Sequence, residues 1–201
     1  MTVAAVPTSP RRVLADALPG AAAAGATVRA RDLVLVLGGA AFVAAVGQAA
    51  IPLPFTPVPL TLGTFAVLLV GAALGPARGA LSIAVLVLGG VAGIPVFADG
   101  NSGWAFASFG YVLGYLPAAA CLGWLARRGG DRSTWRTGAA AVAATALVYA
   151  VGLPWLMAHL GVGLAEGLAL GVTPFLIGDV VKAVAAALLL PGTWRLLGER
   201  R

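Results

Sequence analysis

From about Leu33 onward the chain is a succession of long apolar runs, each near the roughly 20 residues that a helix needs to cross a bilayer. They extend from about Leu33 to Ala50, Leu62 to Leu74, Ala80 to Phe97, Phe106 to Ala126, Gly138 to Met157 and Val172 to Pro191. The second run is the shortest, and "GPARG" separates it from the third. Residues 1–30 hold no comparable run. Their "AAAAGA" patch is shorter than the ~7–15 apolar residues of a signal peptide. The pattern therefore predicts a flexible cytoplasmic extension over 1–30 and one membrane domain over 31–201, ending in a cytoplasmic tail. The expected fold is an all-α integral membrane protein, a bundle of six transmembrane helices.

The charges orient that bundle. Lys182 is the single lysine, so every other basic residue is an arginine. With six spans and the N-terminus inside, Arg11, Arg12, Arg29 and Arg31 precede the first span, and Arg78 falls in the next inner loop. Arg127, Arg128, Arg132 and Arg136 share the third inner loop, and Arg195, Arg200 and Arg201 form the tail. Every arginine lands on one side, as the positive-inside rule requires. The opposite loops hold only Asp99, His159 and Glu166. Both termini are therefore expected in the cytoplasm.

Composition agrees. The chain is 60% hydrophobic and 10% charged, with mean hydropathy +0.98, whereas soluble domains carry about 25% charged residues. Its 28 glycines and 13 prolines suit membrane helices, which tolerate both. A lone Cys121 excludes an intrachain disulfide framework. The net charge of +6 is spread along the chain and gives no basic face for nucleic acid.

Three polar signals remain. "IPLPFTPVPLTLG" sets Pro52, Pro54, Pro57 and Pro59 between the first two spans, where no helix can continue. It reads either as a stiff external loop or as a cover over a pocket. "GIPVFADGNSGW" closes the third span on the same side. Asp99-Gly100-Asn101 supports a turn there, while Asn101 also offers both donors and an acceptor to a ligand. The sharpest signal is "GDVVK". Asp179 and Lys182 lie i,i+3 on one helix face inside the last span, where each charge costs roughly 2.5–3.5 kcal/mol to insert. Either the two neutralise each other against neighbouring helices, or they recognise a small polar solute. The ammonium suits an anionic or carbonyl group, and the carboxylate suits ligand N–H donors.

Other chemistry finds little support. One histidine and one cysteine cannot build a common His/Cys metal site. No GxSxG, HExxH or G-x-x-x-x-G-K-[ST] motif occurs, and Ser82, Ser102 and Ser108 have no evident base nearby in sequence. An enzyme is not expected. Ala40, Ala41, Ala44, Ala45 and Ala49 give small-xxx-small spacings in the first span, suited to internal packing or to a partner surface.

Four stretches together resemble the BioY family, the biotin-binding substrate-capture (S) components of energy-coupling-factor vitamin transporters. They are "PFTPVPLTLGTFAVLLVGAALGPARGAL", "GGVAGIPVFADGNSGW", "SFGYVLGY" and "PFLIGDVVKA", within roughly residues 31–195. The resemblance implies a loop between the first two spans that covers the ligand. It also implies polar contacts to biotin from Asn101, Asp179 and Lys182. The apolar part of biotin is then expected against Val58, Phe97, Trp104 and Tyr111. No cofactor is implied, biotin being the transported ligand. The implied partners are a transmembrane coupling protein and two cytoplasmic ATPase subunits, with Ala40, Ala41, Ala44 and Ala45 as the docking face. Two departures from the family pattern stand out: Gly63, where a polar residue is usual, and Phe106-Ala107-Ser108 before the Gly-Tyr motif. The alternatives are a capture subunit or carrier for another small vitamin and, further off, an intramembrane lipid-modifying enzyme.

Overall fold

The computed structural model describes residues 12–17 and 26–198. Helix α1 spans Ala26–Gly47, α2 Gly63–Leu74, α3 Pro76–Val91, α4 Phe109–Arg127, α5 Thr134–Leu160, α6 Leu164–Gly171 and α7 Leu176–Leu196. The only strands among the described residues are β1, Ala50–Ile51, and β2, Leu60–Thr61. They pair antiparallel with Ala50 opposite Thr61. Helix α4 runs through the middle, packed against α2 and α3 on one side and α5 on the other; α5 carries α7, and α1 leans on α3 and α2. Small residues make these approaches close. A Cβ at Gly114 would sit 2.8 Å from the α5 backbone at Val148, and one at Gly71 would sit 2.7 Å from the α4 carbonyl of Ala119. In lipid, where apolar side chains gain nothing by leaving solvent, such backbone contact supplies the association energy.

The six predicted runs survive as helical segments, with shifted edges. Helices α1, α4, α5 and the α6–α7 segment are long and apolar enough to cross a bilayer. The 12 residues of α2 and the 16 of α3 are not. At ~1.5 Å per residue they reach only about 18 and 24 Å of a roughly 30 Å hydrocarbon core. The break between them is one residue, Gly75, at φ +84°, with Pro76 opening α3 where its missing N–H is not needed. Helix α3 stops at Val91 instead of continuing to Phe97. The chain turns back at Gly93 (φ +100°) and lays the Phe97 ring into the space where a Gly90 Cβ would stand. At the other end of the chain, Trp194 donates its indole N–H to Asp131 at 2.6 Å and lies 4.1 Å beneath the Arg132 guanidinium, which anchors α7 past Pro191.

Within the extension expected over 1–30, the described residues 12–17 and 26–30 are structured. Helix α1 already begins at Ala26, and residues 14–17 form a 3₁₀ turn docked on α2. Val13 and Ala15 are 0% and 3% exposed. Arg78 bridges Asp16 at 2.9 Å and Asp32 at 2.8 Å, and Arg31 donates to the Ala15 carbonyl. Two buried apolar side chains and one shared guanidinium are too short a pattern to stand out in a sequence. Residues 1–11 and 18–25 lie outside the described set. Arg12, Arg31, Arg78, Arg127 and Arg132 meet the same end of the bundle, through contacts with this turn, with Gly75 or with the foot of α7.

Candidate ligand cavity

At the end opposite the arginines, α1 to α5 and α7 enclose a cavity of about 90 Å³. A single water needs roughly 10–15 Å³ measured this way, so the space admits a small molecule's head group or several waters. Its wall is mostly apolar. Val43, Leu86, Val112, Val148, Phe97, Phe106 and Phe175 surround it. Phe97, Phe106, Phe109 and Trp155 form a continuous aromatic stack with ring centroids 5.4–6.0 Å apart along the chain of contacts.

Into this wall α7 projects the charged pair. Lys182 Nζ donates to Asp179 Oδ1 at 3.1 Å, and their side chains are only 9% and 13% exposed. The i,i+3 spacing puts both on the cavity side, while Ile177, Val180, Val181 and Val184 turn outward. Among the described residues Asp179 is the only partner of the ammonium, which leaves Lys182 donors for a guest. The second carboxylate oxygen, Oδ2, accepts the Tyr149 hydroxyl from α5. Tyr149 meets the Tyr111 ring edge to face, centroids 6.2 Å apart. The Tyr111 hydroxyl is committed elsewhere, to the Gly171 carbonyl at 2.8 Å. It therefore presents a ring to the cavity, with its hydroxyl proton already donated.

The proline-rich loop lies against the cavity. The β1–β2 pair holds its two ends together, the Thr56 hydroxyl donates to the Leu170 carbonyl at 2.8 Å, and Val58 N–H donates back to that hydroxyl at 3.2 Å. Val58 and Pro59 consequently line the cavity. The loop after α3 is pinned by Gln48, whose amide donates to the Phe97 carbonyl at 2.9 Å and accepts from Gly100 N–H at 3.2 Å. Asn101 closes the expected turn: its N–H and its side-chain amide both donate to the Ala98 carbonyl, at 3.2 and 3.0 Å. It still reaches the cavity wall.

Asn101, Asp179, Lys182, Val58, Tyr111 and Phe97 thus meet around one space. Trp104 does not. It is 60% exposed and absent from the wall, because Gly103 bonds back to the Gly90 carbonyl at 2.7 Å and the next side chain is thrown outward. The alanine stripe is divided as well. Ala40 is buried and Ala44 half-buried on the side of α1 that packs into the bundle, where a Gly39 Cβ would meet Ser82; Ala41 and Ala45 are exposed. The four do not share one exposed face.

The sequence reading missed the cavity's hydroxyls: Thr61, Thr64, Ser108, Tyr115, Thr145 and Tyr149. Tyr149 had a usable signal, because tyrosines favour the membrane interface and this one sits mid-span. Gly63, the first departure from the family pattern, has a structural counterpart. A Cβ there would lie 2.7 Å from the Tyr115 hydroxyl, which occupies that corner with Thr61 and Thr64 as hydrogen-bond partners. Neither His159 nor Cys121 lines the cavity. The arrangement suits binding of a small, largely apolar molecule that carries N–H donors and a carbonyl or carboxylate.

The sequence model described as "BioY family" matches residues 20–199. A biotin transporter BioY from Rhizobium etli is 36% identical over 170 residues, covering 79% of this chain and 90% of that protein. A probable biotin transporter BioY from Pyrococcus horikoshii is 36% identical over 163 residues, covering 81% and 95%. The crystal structure of the S-component for biotin from an ECF-type ABC transporter superposes with a TM-score of 0.75 at 24% identity, covering 86% of this chain and 95% of that one.

Proposed function

This chain belongs to the BioY family, and from that premise we propose that it is the membrane subunit that captures biotin for uptake. The observation that carries the reading is the Asp179–Lys182 pair, largely buried on α7 and opening on a cavity lined by a proline-rich loop. Asp179 accepts hydrogen bonds from ligand N–H groups, Lys182 donates to a ligand carbonyl or carboxylate, and Asn101 adds a mixed donor and acceptor at the rim. Val58, Phe97 and Tyr111 contact the apolar part of biotin. The insertion cost of the two charges is then offset partly by each other and by Tyr149, and partly by the ligand.

The arginine-rich end faces the cytoplasm of the cell membrane, so the cavity opens outward; the distribution of arginines supports this orientation. A transmembrane coupling protein and two ATPase subunits supply the energy, consistent with a chain that carries no phosphate-binding loop of its own. Equilibrium binding to purified protein, with a panel of other vitamins as competitors, tests the assignment. Biotin should displace the others at the lowest concentration. Wild-type-like affinity in both Asp179→Ala and Lys182→Ala would remove the assigned site, and preference for another vitamin would change the ligand.

A further inference from the structure

The carboxylate of Asp179 is gripped from two helices, and this grip suggests a role for a residue outside the charged motif. One oxygen accepts from Lys182, three residues on along the same helix. The other accepts the hydroxyl of Tyr149, which comes from α5. The neighbouring Tyr111 hydroxyl is bound to Gly171 and Tyr115 is engaged with Thr61 and Thr64, so among the described residues Tyr149 is the tyrosine that donates to Asp179. With Lys182 alone, the carboxylate could rotate along α7 while keeping its ion pair. A donor on the facing helix fixes its plane.

We propose that Tyr149 is a positioning residue for ligand recognition: its hydroxyl orients the Asp179 carboxylate so that its remaining lone pairs meet the ligand's N–H donors. This rests on reading the cavity as the biotin site. Tyr149 itself need not touch the ligand. Its phenol also supplies a neutral donor where a second cation would leave the pair with an unmatched charge.

The test separates the contact from its consequence. In ligand-free protein, the infrared difference between wild type and Tyr149→Phe should show a carboxylate stretching change that disappears in an Asp179→Asn background. Conversely, Asp179→Asn should shift the C–O stretch of a ring-labelled tyrosine, which reads the same contact without altering Tyr149. Biotin affinity should fall about 5- to 20-fold in Tyr149→Phe, the size expected for loss of one charged hydrogen bond acting indirectly. In the Asp179→Asn background the same substitution should change affinity less than about twofold, since the group it orients is gone. An unchanged carboxylate band, or an equal loss of affinity in both backgrounds, would overturn the proposal. Wild-type protein that bound no biotin would overturn the functional reading instead, and the ligand-free spectra would still decide the contact.

Discussion

Consider replacing Asp179 and Lys182 singly and then together. Lys182→Met removes the 3.1 Å ion pair and leaves a carboxylate in a largely apolar setting with only Tyr149 as donor. Asp179→Leu leaves an ammonium with no partner at all among the described residues. Breaking a buried pair from one side costs about 3–5 kcal/mol in a dry interior. The residual exposure of 9% and 13% lets cavity water relieve part of that cost, so about 2–4 kcal/mol is expected. For a chain of this size each kcal/mol moves the melting temperature by about 2–4 °C, so each single variant should melt about 4–16 °C below wild type. The double variant Asp179→Leu/Lys182→Met has no stranded charge and should return to within about 1 kcal/mol of wild type. Stability and binding must then part company: all three variants should lose biotin affinity by about 100-fold, since each lacks at least one charged contact. Thermal unfolding of ligand-free protein in one detergent, beside equilibrium binding, reads both. A double variant less stable than either single would show that the pair is held for packing, and one that still binds biotin would show that recognition lies elsewhere.

Two further outcomes follow from close contacts at opposite ends of the bundle. Gly152→Ala places a Cβ 2.5 Å from the Tyr111 ring; overpacking of this kind costs about 1–3 kcal/mol, so the protein should melt lower and bind biotin more weakly, and an unchanged melting curve would show that α5 can yield there. At the arginine-rich end, burial raises the Asp16 carboxyl, but hydrogen bonds from Arg78 and Val13 and the charges of Arg78 and Arg127 outweigh it and hold the group below the 3.8 of a free aspartate. Because the folded value is depressed, its contribution to docking of residues 12–17 is fully present above about pH 5 and is lost as pH falls through the lowered value. Hydrogen exchange at the Asp16 amide, which donates to the Val13 carbonyl at 2.9 Å, should therefore quicken at pH 2 beyond the intrinsic change, and in Arg78→Ala should already be fast at pH 7. Equal protection in both proteins would mean that Val13 and Ala15 hold the turn by burial alone.

The apolar runs settled the class and the helical segments of this protein without help from packing. A continuous apolar run of about 20 residues satisfies its backbone in lipid by coiling into a helix, and that demand is local. The asymmetry of the arginines and the i,i+3 spacing of Asp179 and Lys182 are likewise properties of the string of residues. What surrounds that pair is not. Tyr149 reaches Asp179 from thirty residues away, Thr56 reaches the Leu170 carbonyl from farther still, and Phe97 enters the core only because Gly90 leaves it room. The same holds for Trp104 and the alanines of α1, whose types say nothing of the direction in which the fold turns them. Composition and spacing constrain what a segment can be in its solvent; which side chain fills which gap depends on neighbours brought together by the fold, and no local pattern encodes them.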